Sequence, residues 1–190
     1  MARYAKISLL SQPALIHSPW GDPEEKIQEM LAYLKKNLDY VLPDRPDLIV
    51  LPEACDRFPS FTMDQRKAYY RHRGGRIRDF YRKAAKENHC YIAYSACRYL
   101  PEEERLPFHN STQIISRDGE IVGIYDKNHL VPAELDSGES AYGTEAPTFQ
   151  MNFGRVGCTI CFDLNYDELL MRYAVQKPDL IIFHQCITAG

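Results

Sequence analysis

No uninterrupted apolar run in this 190-residue chain approaches the roughly 20 residues a helix needs to cross a bilayer, so no helical membrane anchor is expected. The start, Met1-Ala2-Arg3-Tyr4-Ala5-Lys6 followed by Ile7-Ser8-Leu9-Leu10, is also too short an apolar stretch for a signal-peptide core. Positive charge is not in excess: 23 Lys and Arg against 26 Asp and Glu give a formal net charge of −3. Nucleic acids and anionic membranes usually demand a basic face, so neither is an expected partner. Repeats, low-complexity tracts and linkers are missing as well, which predicts one domain over residues 1–190. With 45% hydrophobic and 26% charged residues, the composition is that of a globular chain able to bury one sizeable core.

Six cysteines are present: Cys55, Cys90, Cys97, Cys158, Cys161 and Cys186. The even count is compatible with disulfides, but without a secretory signal a reduced, cytoplasmic setting is expected. The densest basic stretch, Arg66 to Arg82, is accompanied by Asp64, Asp79 and several tyrosines, and reads as a solvated helix face.

Apolar runs alternate with helical stretches along the chain. Ala5 to Leu10 reads as a first strand. Asp22 and Pro23 then form an N-cap and first residue for a helix with apolar positions Ile27, Met30, Leu31, Leu34 and Leu38. Leu48 to Leu51, closed by Pro52, suits a strand buried on both faces. A helix over Arg76 to Glu87 follows Gly74-Gly75, and Cys90 to Cys97 is a strand. Asn110 to Ser116 and Ile121 to Asp126 flank an Asp118-Gly119 turn, a hairpin signal. Thr148 to Asn152 pairs with Arg155 to Ile160, Asp167 to Gln176 is helical, and Leu180 to Phe183 is a last buried strand. Helices and strands mixed in this order predict an α/β layered protein. Lys127 to Pro147 has no strong periodicity, and a loop that long is more often functional than accidental.

Three residues invite chemistry, each beside an unremarkable alternative. Cys161 falls between a strand and a helix, where a sulfur can stand above a sheet edge near free backbone N–H groups. Taken alone, a buried core cysteine is the commoner reading. Cys158 and Cys161 also spell C-x-x-C, but no second pair stands at metal-ligand spacing. The pair also ends a strand, where a redox motif would open a helix. Residues three apart on a strand face opposite sides, so the two sulfurs should diverge. Glu53 follows a buried strand, where partial desolvation should raise its pKa toward that of a useful base. A surface glutamate is about as common an outcome. Lys127 closes the strand Ile121 to Asp126, and a plain surface lysine is its usual fate.

Together these segments resemble the three signature segments of the nitrilase, or carbon–nitrogen hydrolase, superfamily. They are Val50-Leu51-Pro52-Glu53-Ala54, Tyr125-Asp126-Lys127-Asn128-His129-Leu130 and Gly157-Cys158-Thr159-Ile160-Cys161-Phe162-Asp163, in the family's order and each at a strand end. The surrounding segments agree: Asn110-Ser111, Arg117 to Gly123, and Phe153 to Gly157. The amide- and carbamoyl-amide-cleaving branch is the nearer likeness.

The resemblance implies a four-layer α-β-β-α sandwich and a thiol hydrolase without metal or organic cofactor. It makes Cys161 the nucleophile, Glu53 the general base, and Lys127 with the Phe162 N–H the oxyanion stabilisers. A second glutamate that orients substrate or water is implied at Glu134 or Glu139, with Glu134 favoured. His129 reads as a structural hydrogen-bonding residue. The implied substrate is a small amide or carbamoyl amide, and the implied assembly is a homo-oligomer. A nitrile-cleaving enzyme shares the same three residues. An inactive binding or scaffold subunit is the contrasting expectation, since the family's usual C-terminal strands are not found before Gly190. The sandwich would then be incomplete at that end, the chain being either a fragment or a shortened relative whose sandwich is completed by a partner subunit. Where amidase-type relatives carry an arginine after the nucleophile, this chain has Asn165, which speaks against a carboxylate-bearing substrate.

Overall fold

The computed structural model describes residues 4–11, 15, 17–138 and 140–186. Asp22 caps α1 (Pro23–Val41), its side chain accepting from the N–H groups of Glu24 and Glu25 at 3.0 Å. Ile27, Met30, Leu34 and Leu38 form its buried stripe, each at most 2% exposed. Burying one such side chain contributes about 1.5–3 kcal/mol, so this face fixes the helix to the sheet below it.

That sheet has the order β1 (Ile7–Leu9), β2 (Leu48–Val50), β3 (Tyr91–Tyr99), β4 (Phe108–Ile115), β5 (Ile121–Asp126), with a short β6 (Ser140–Ala141) beside β4. The first three strands are parallel and β3-β4-β5 is antiparallel. A second sheet joins β7 (Thr148–Met151), β8 (Gly154–Ile160) and β9 (Leu180–His184). The remaining helices are α2 (Met63–Arg73), α3 (Arg76–Asn88), α4 (Pro132–Asp136) and α5 (Asp167–Gln176).

β2 is buried on both faces, as its unbroken apolar run requires. Ile49 joins the core under α1, α2 and α3, while Leu48 and Val50 join a second core with Val156, Cys158 and Ile160 of β8. The two sheets approach closely at Gly123, where an added Cβ would lie 2.1 Å from the Phe149 ring. On β8, Gly157 admits the ring of Tyr173 from α5. The Tyr173 hydroxyl donates to Cys158 O at 2.6 Å and accepts from Cys158 N–H at 3.2 Å.

Three expectations are corrected. The basic stretch is two helices broken at Gly74 (φ 55°), and it is not simply a solvated face. Arg73 is 4% exposed and pairs with Asp56, which is fully buried, while Tyr69 and Tyr70 pack into the first core. A buried acid from the loop that leads into α2 neutralises the arginine, and the helical periodicity of the stretch does not announce such a partner. The segment from Lys127 to Pro147 is not one loop, since α4 and β6 interrupt it. The first strand is also shorter than expected, Ile7–Leu9. Among the described residues no helix is long and apolar enough to cross a membrane.

Candidate active site

The sheets converge on one cleft at the ends of their strands. Glu53 lies just beyond β2, in a loop tied to β3 by Leu51 N–H to Ala93 O at 3.2 Å and Cys55 N–H to Ser95 O at 3.0 Å. Lys127 follows β5 directly, its N–H donating to Asn110 O at 2.8 Å. Cys161 follows β8 and opens a 3-10 turn, Cys161–Asn165, ahead of α5. Two non-glycine residues here have positive φ, Ala54 at 48° and Cys161 at 47°. This sparsely populated backbone turns the chain sharply at both the acid and the thiol.

Lys127 is 1% exposed, and its ammonium sits between two carboxylates. It donates to Glu53 Oε1 at 3.0 Å and to Glu134 Oε2 at 2.9 Å. The Asn110 amide bridges the same two acids, donating to Glu53 Oε1 at 2.9 Å and Glu134 Oε1 at 2.8 Å. Glu53 Oε2 accepts the Cys186 N–H at 3.2 Å, and Glu134 Oε2 accepts the Val131 N–H at 3.0 Å. Glu134 reaches this position from α4, inside the segment marked as functional by its length. Glu139 lies outside the described residues.

The charges set the resting protonation states. Burial raises the pKa of Glu53, but the Lys127 charge and the hydrogen bonds from Lys127 and Asn110 outweigh it and hold the acid below its ordinary 4.5. The expected upward shift is therefore corrected: desolvation acts as foreseen, and the buried ammonium overrules it. Burial pulls Lys127 down while Glu53 and Glu134 pull it up, with a net rise above 10.5. For Cys161, burial and then the Glu53 charge push the thiol up to about 11, against the opposing pull of Lys127. At neutral pH the resting site thus holds a thiol beside an ionised carboxylate and a fixed ammonium.

Asp163 is fully buried and holds the cysteine turn to the lysine loop. It accepts from Ile160 N–H at 2.9 Å, Tyr125 hydroxyl at 2.6 Å, Asn128 N–H at 3.1 Å, His129 N–H at 2.9 Å and His129 Nδ1 at 3.0 Å. His129 also stacks on Tyr166 with ring centroids 3.7 Å apart, in keeping with the structural reading of this histidine. Phe162 lies in the first turn of the 3-10 segment, where backbone N–H groups lack intrahelical partners. Asn165 is exposed and donates to Phe162 O at 3.1 Å. Cys158 is buried in the second core, with its thiol pushed up by burial, while Cys161 lines the cleft. All six cysteines are free.

Asn110, Asp163 and His184 were not singled out for this site from sequence. Asn110 carried a signal, its place at the head of a strand in the matching segments, but its bridge depends on β4 lying between β3 and β5. His184 is buried on β9 and donates from Nδ1 to Leu51 O at 2.7 Å, and burial pulls its pKa to about 4, so it stands neutral behind the Glu53 loop.

The cleft is a cavity of about 270 Å³. Tyr70, Phe108, Leu130 and Val131 supply apolar wall, and Glu53, Asn110, Lys127, Glu134 and Cys161 converge at one end. A mixed α/β scaffold carrying a thiol, a carboxylate and a buried ammonium in one cleft has the parts of an acyl-transfer hydrolase. A family model described as carbon–nitrogen hydrolase matches residues 10–189, and the chain belongs to that family.

Among curated proteins, the chain is 30% identical over 101 residues to Probable nitrilase C965.09 of Schizosaccharomyces pombe, covering 52% of this chain and 35% of that one. It is 30% identical over 108 residues to Omega-amidase NIT2 of Homo sapiens, covering 53% and 38%. It is 27% identical over 169 residues to Nitrilase homolog 2 of Dictyostelium discoideum, covering 84% and 49%. In each of these three the match spans less than half of the relative's own length. Among solved structures, Saccharomyces cerevisiae Nit3 superposes with a TM-score of 0.71 at 19% identity, covering 100% of this chain and 68% of that one. The C. elegans NitFhit protein superposes with a TM-score of 0.75 at 24% identity, covering 99% and 45%. These likenesses establish the mixed α/β fold of nitrilase-superfamily structures over part of their chains.

Proposed function

We propose that this protein is a thiol hydrolase that cleaves the C–N bond of a small amide or carbamoyl amide through a thioester on Cys161. The observation that carries the reading is Lys127, an ammonium fixed between Glu53 and Glu134 in the cavity that also receives the Cys161 thiol. Two cores with helices outside and two sheets inside support the four-layer α-β-β-α arrangement as its frame.

In this reading Glu53 takes the Cys161 proton as Sγ attacks the amide carbonyl carbon. The C=O electron pair moves onto oxygen, and Lys127 with the Phe162 N–H stabilises the oxyanion. Such donors contribute several kcal/mol in a water-poor site, about 3–4 for one well-placed group. Collapse breaks the C–N bond, the departing nitrogen takes the proton from Glu53, and a thioester remains. Glu53 then draws a proton from water, which attacks the thioester and restores the thiol. Glu134 and Asn110 keep Lys127 and Glu53 aimed. A thiol with a pKa of about 11 needs this base, because almost none of it is ionised at neutral pH. The two omega-amidase and nitrilase names among the relatives fit the same chemistry on an amide or a nitrile.

The test is ammonia release from a panel of small amides, carbamoyl amides and nitriles, run beside Cys161→Ala. Release from amides that disappears in Cys161→Ala is the expected result. Release from nitriles alone would move the reading to a nitrile hydrolase, and no Cys161-dependent release from any class would leave a binding or scaffold role.

A further inference from the structure

Three of the free cysteines line the cleft, Cys97, Cys161 and Cys186, and the hydrolysis proposed above uses only Cys161. Cys186 stands beside it. The Cys186 N–H donates to Glu53 Oε2 at 3.2 Å, and the Cys161 thiol hydrogen-bonds the same carboxylate. The strands place the two residues together as well. β8 and β9 run parallel, and their last register pair is Ile160 with His184. Cys161 follows that pair by one residue and Cys186 by two. Neighbouring strands lie about 4.8 Å apart and rise about 3.3 Å per residue, so this stagger separates the Cα atoms by about 6 Å. A disulfide spans Cα separations of about 4.4–6.8 Å.

The three thiols differ in their surroundings. Arg57 Nη2 lies 2.7 Å from the Sγ of Cys186, which is half-buried. An electropositive, partly exposed setting of this kind is where thiols react. Burial and then the Glu53 charge push Cys161 up to about 11. Burial pushes Cys97 up to about 12, and its thiol faces Arg98 O at 3.7 Å. We propose that Cys186 and Cys161 form a dithiol site that a hydroperoxide oxidises to a disulfide. The thiolate form of Cys186 attacks one peroxide oxygen, the O–O bond breaks, and hydroxide leaves from a new sulfenic acid. Glu53 takes the Cys161 proton as Cys161 Sγ attacks the Cys186 sulfur. The S–O bond breaks, and the departing oxygen takes that proton and leaves as water. Two electrons pass from the sulfurs to the peroxide, and the proton first lost by Cys186 turns the hydroxide into a second water. A thiol reductant reverses the reaction. The disulfide holds the nucleophile out of use, a consequence for turnover that rests on the amidase reading of Cys161.

The test is exposure of the reduced protein to hydrogen peroxide, then blocking of the remaining thiols and peptide mass mapping without reductant. The Cys161 and Cys186 peptides should appear joined and lighter by two hydrogens, and dithiothreitol should separate them. Arg57→Gln should slow the joining about tenfold by removing the charge beside the attacking sulfur. Arg57→Lys should keep most of the rate, which separates lost charge from disturbed fold. Cys186→Ser keeps the N–H that Glu53 accepts, and its Cys161 should stay open to alkylation after a peroxide dose that joins the wild-type pair. A link from Cys161 to Cys97, or Cys161 carried to its sulfinic acid beside a free Cys186 thiol, would overturn the proposal. The link is read by mass and needs no turnover. No link in a protein that releases ammonia would sink this inference and leave the amidase reading. A reversible link in a protein whose reduced form releases no ammonia would sink the amidase reading and leave the dithiol site.

Discussion

Lys127 holds two acids at once, and that sets both the charge state and the pH behaviour of the cleft. Glu53 is depressed, so its share of stability is present above 4.5 and is lost as pH falls through its folded value. Lys127 is raised, so its share is present below 10.5 and is lost as pH rises past its folded value. The same limits bound activity: an acid limb below 4.5, an alkaline limb above 10.5, and little change between them from these two groups. In Lys127→Met, burial and the neighbouring Glu134 would both oppose ionisation of Glu53, so the acid limb should move above 4.5. The turnover number should fall about a hundred- to a thousandfold with loss of the oxyanion cation. A pH–rate profile of the two proteins checks this, and an unmoved acid limb would contradict the assigned pairing.

At the scale of elements, the cysteine turn and the lysine loop meet through one side chain. Asp163 accepts from both, so Asp163→Asn sets an amide N–H against backbone N–H groups that now donate to a carboxylate. The expected cost is about 3 kcal/mol, read as a lowered denaturant midpoint at unchanged slope. An unchanged midpoint would show that the clamp contributes nothing. The ends of elements were largely legible, because Asp22-Pro23, the Asp118-Gly119 turn and the apolar run Leu48 to Leu51 each carry their own local physics. α2 was not. Arg73 is buried because Asp56, in the loop that leads into α2, pairs with it, and Tyr69 and Tyr70 are buried because they pack on Phe58 and Phe108. Glu53, Lys127 and Cys161 were drawn together by the resemblance of their segments to the three signature segments of the family, for none of them stood out taken alone. The bridge that Asn110 makes between Glu53 and Glu134 could not be found in this way, since it depends on β4 lying between β3 and β5. The downward shift of Glu53 was equally hidden, for it needs the distance to Lys127.

For the whole molecule, the cleft exists because two sheets pack closely enough to bring the ends of β2, β5 and β8 together. Gly123 permits that approach, and Gly123→Ala would drive a methyl group into the Phe149 ring. The expected loss is about 1–3 kcal/mol of stability, checked by thermal or urea unfolding. Wild-type stability in this variant would mean that the sheets have slack between them. The two-sided burial of β2 was readable as a pattern, but which core each residue joins was fixed only by the second sheet.

The most direct test of the account is the pH dependence of Cys161 alkylation, followed by peptide mass mapping. A midpoint near about 11, lowered in Glu53→Gln as the neighbouring negative charge is removed, is the predicted result. A wild-type midpoint at or below neutrality would reveal a preformed thiolate and contradict the role given to Glu53.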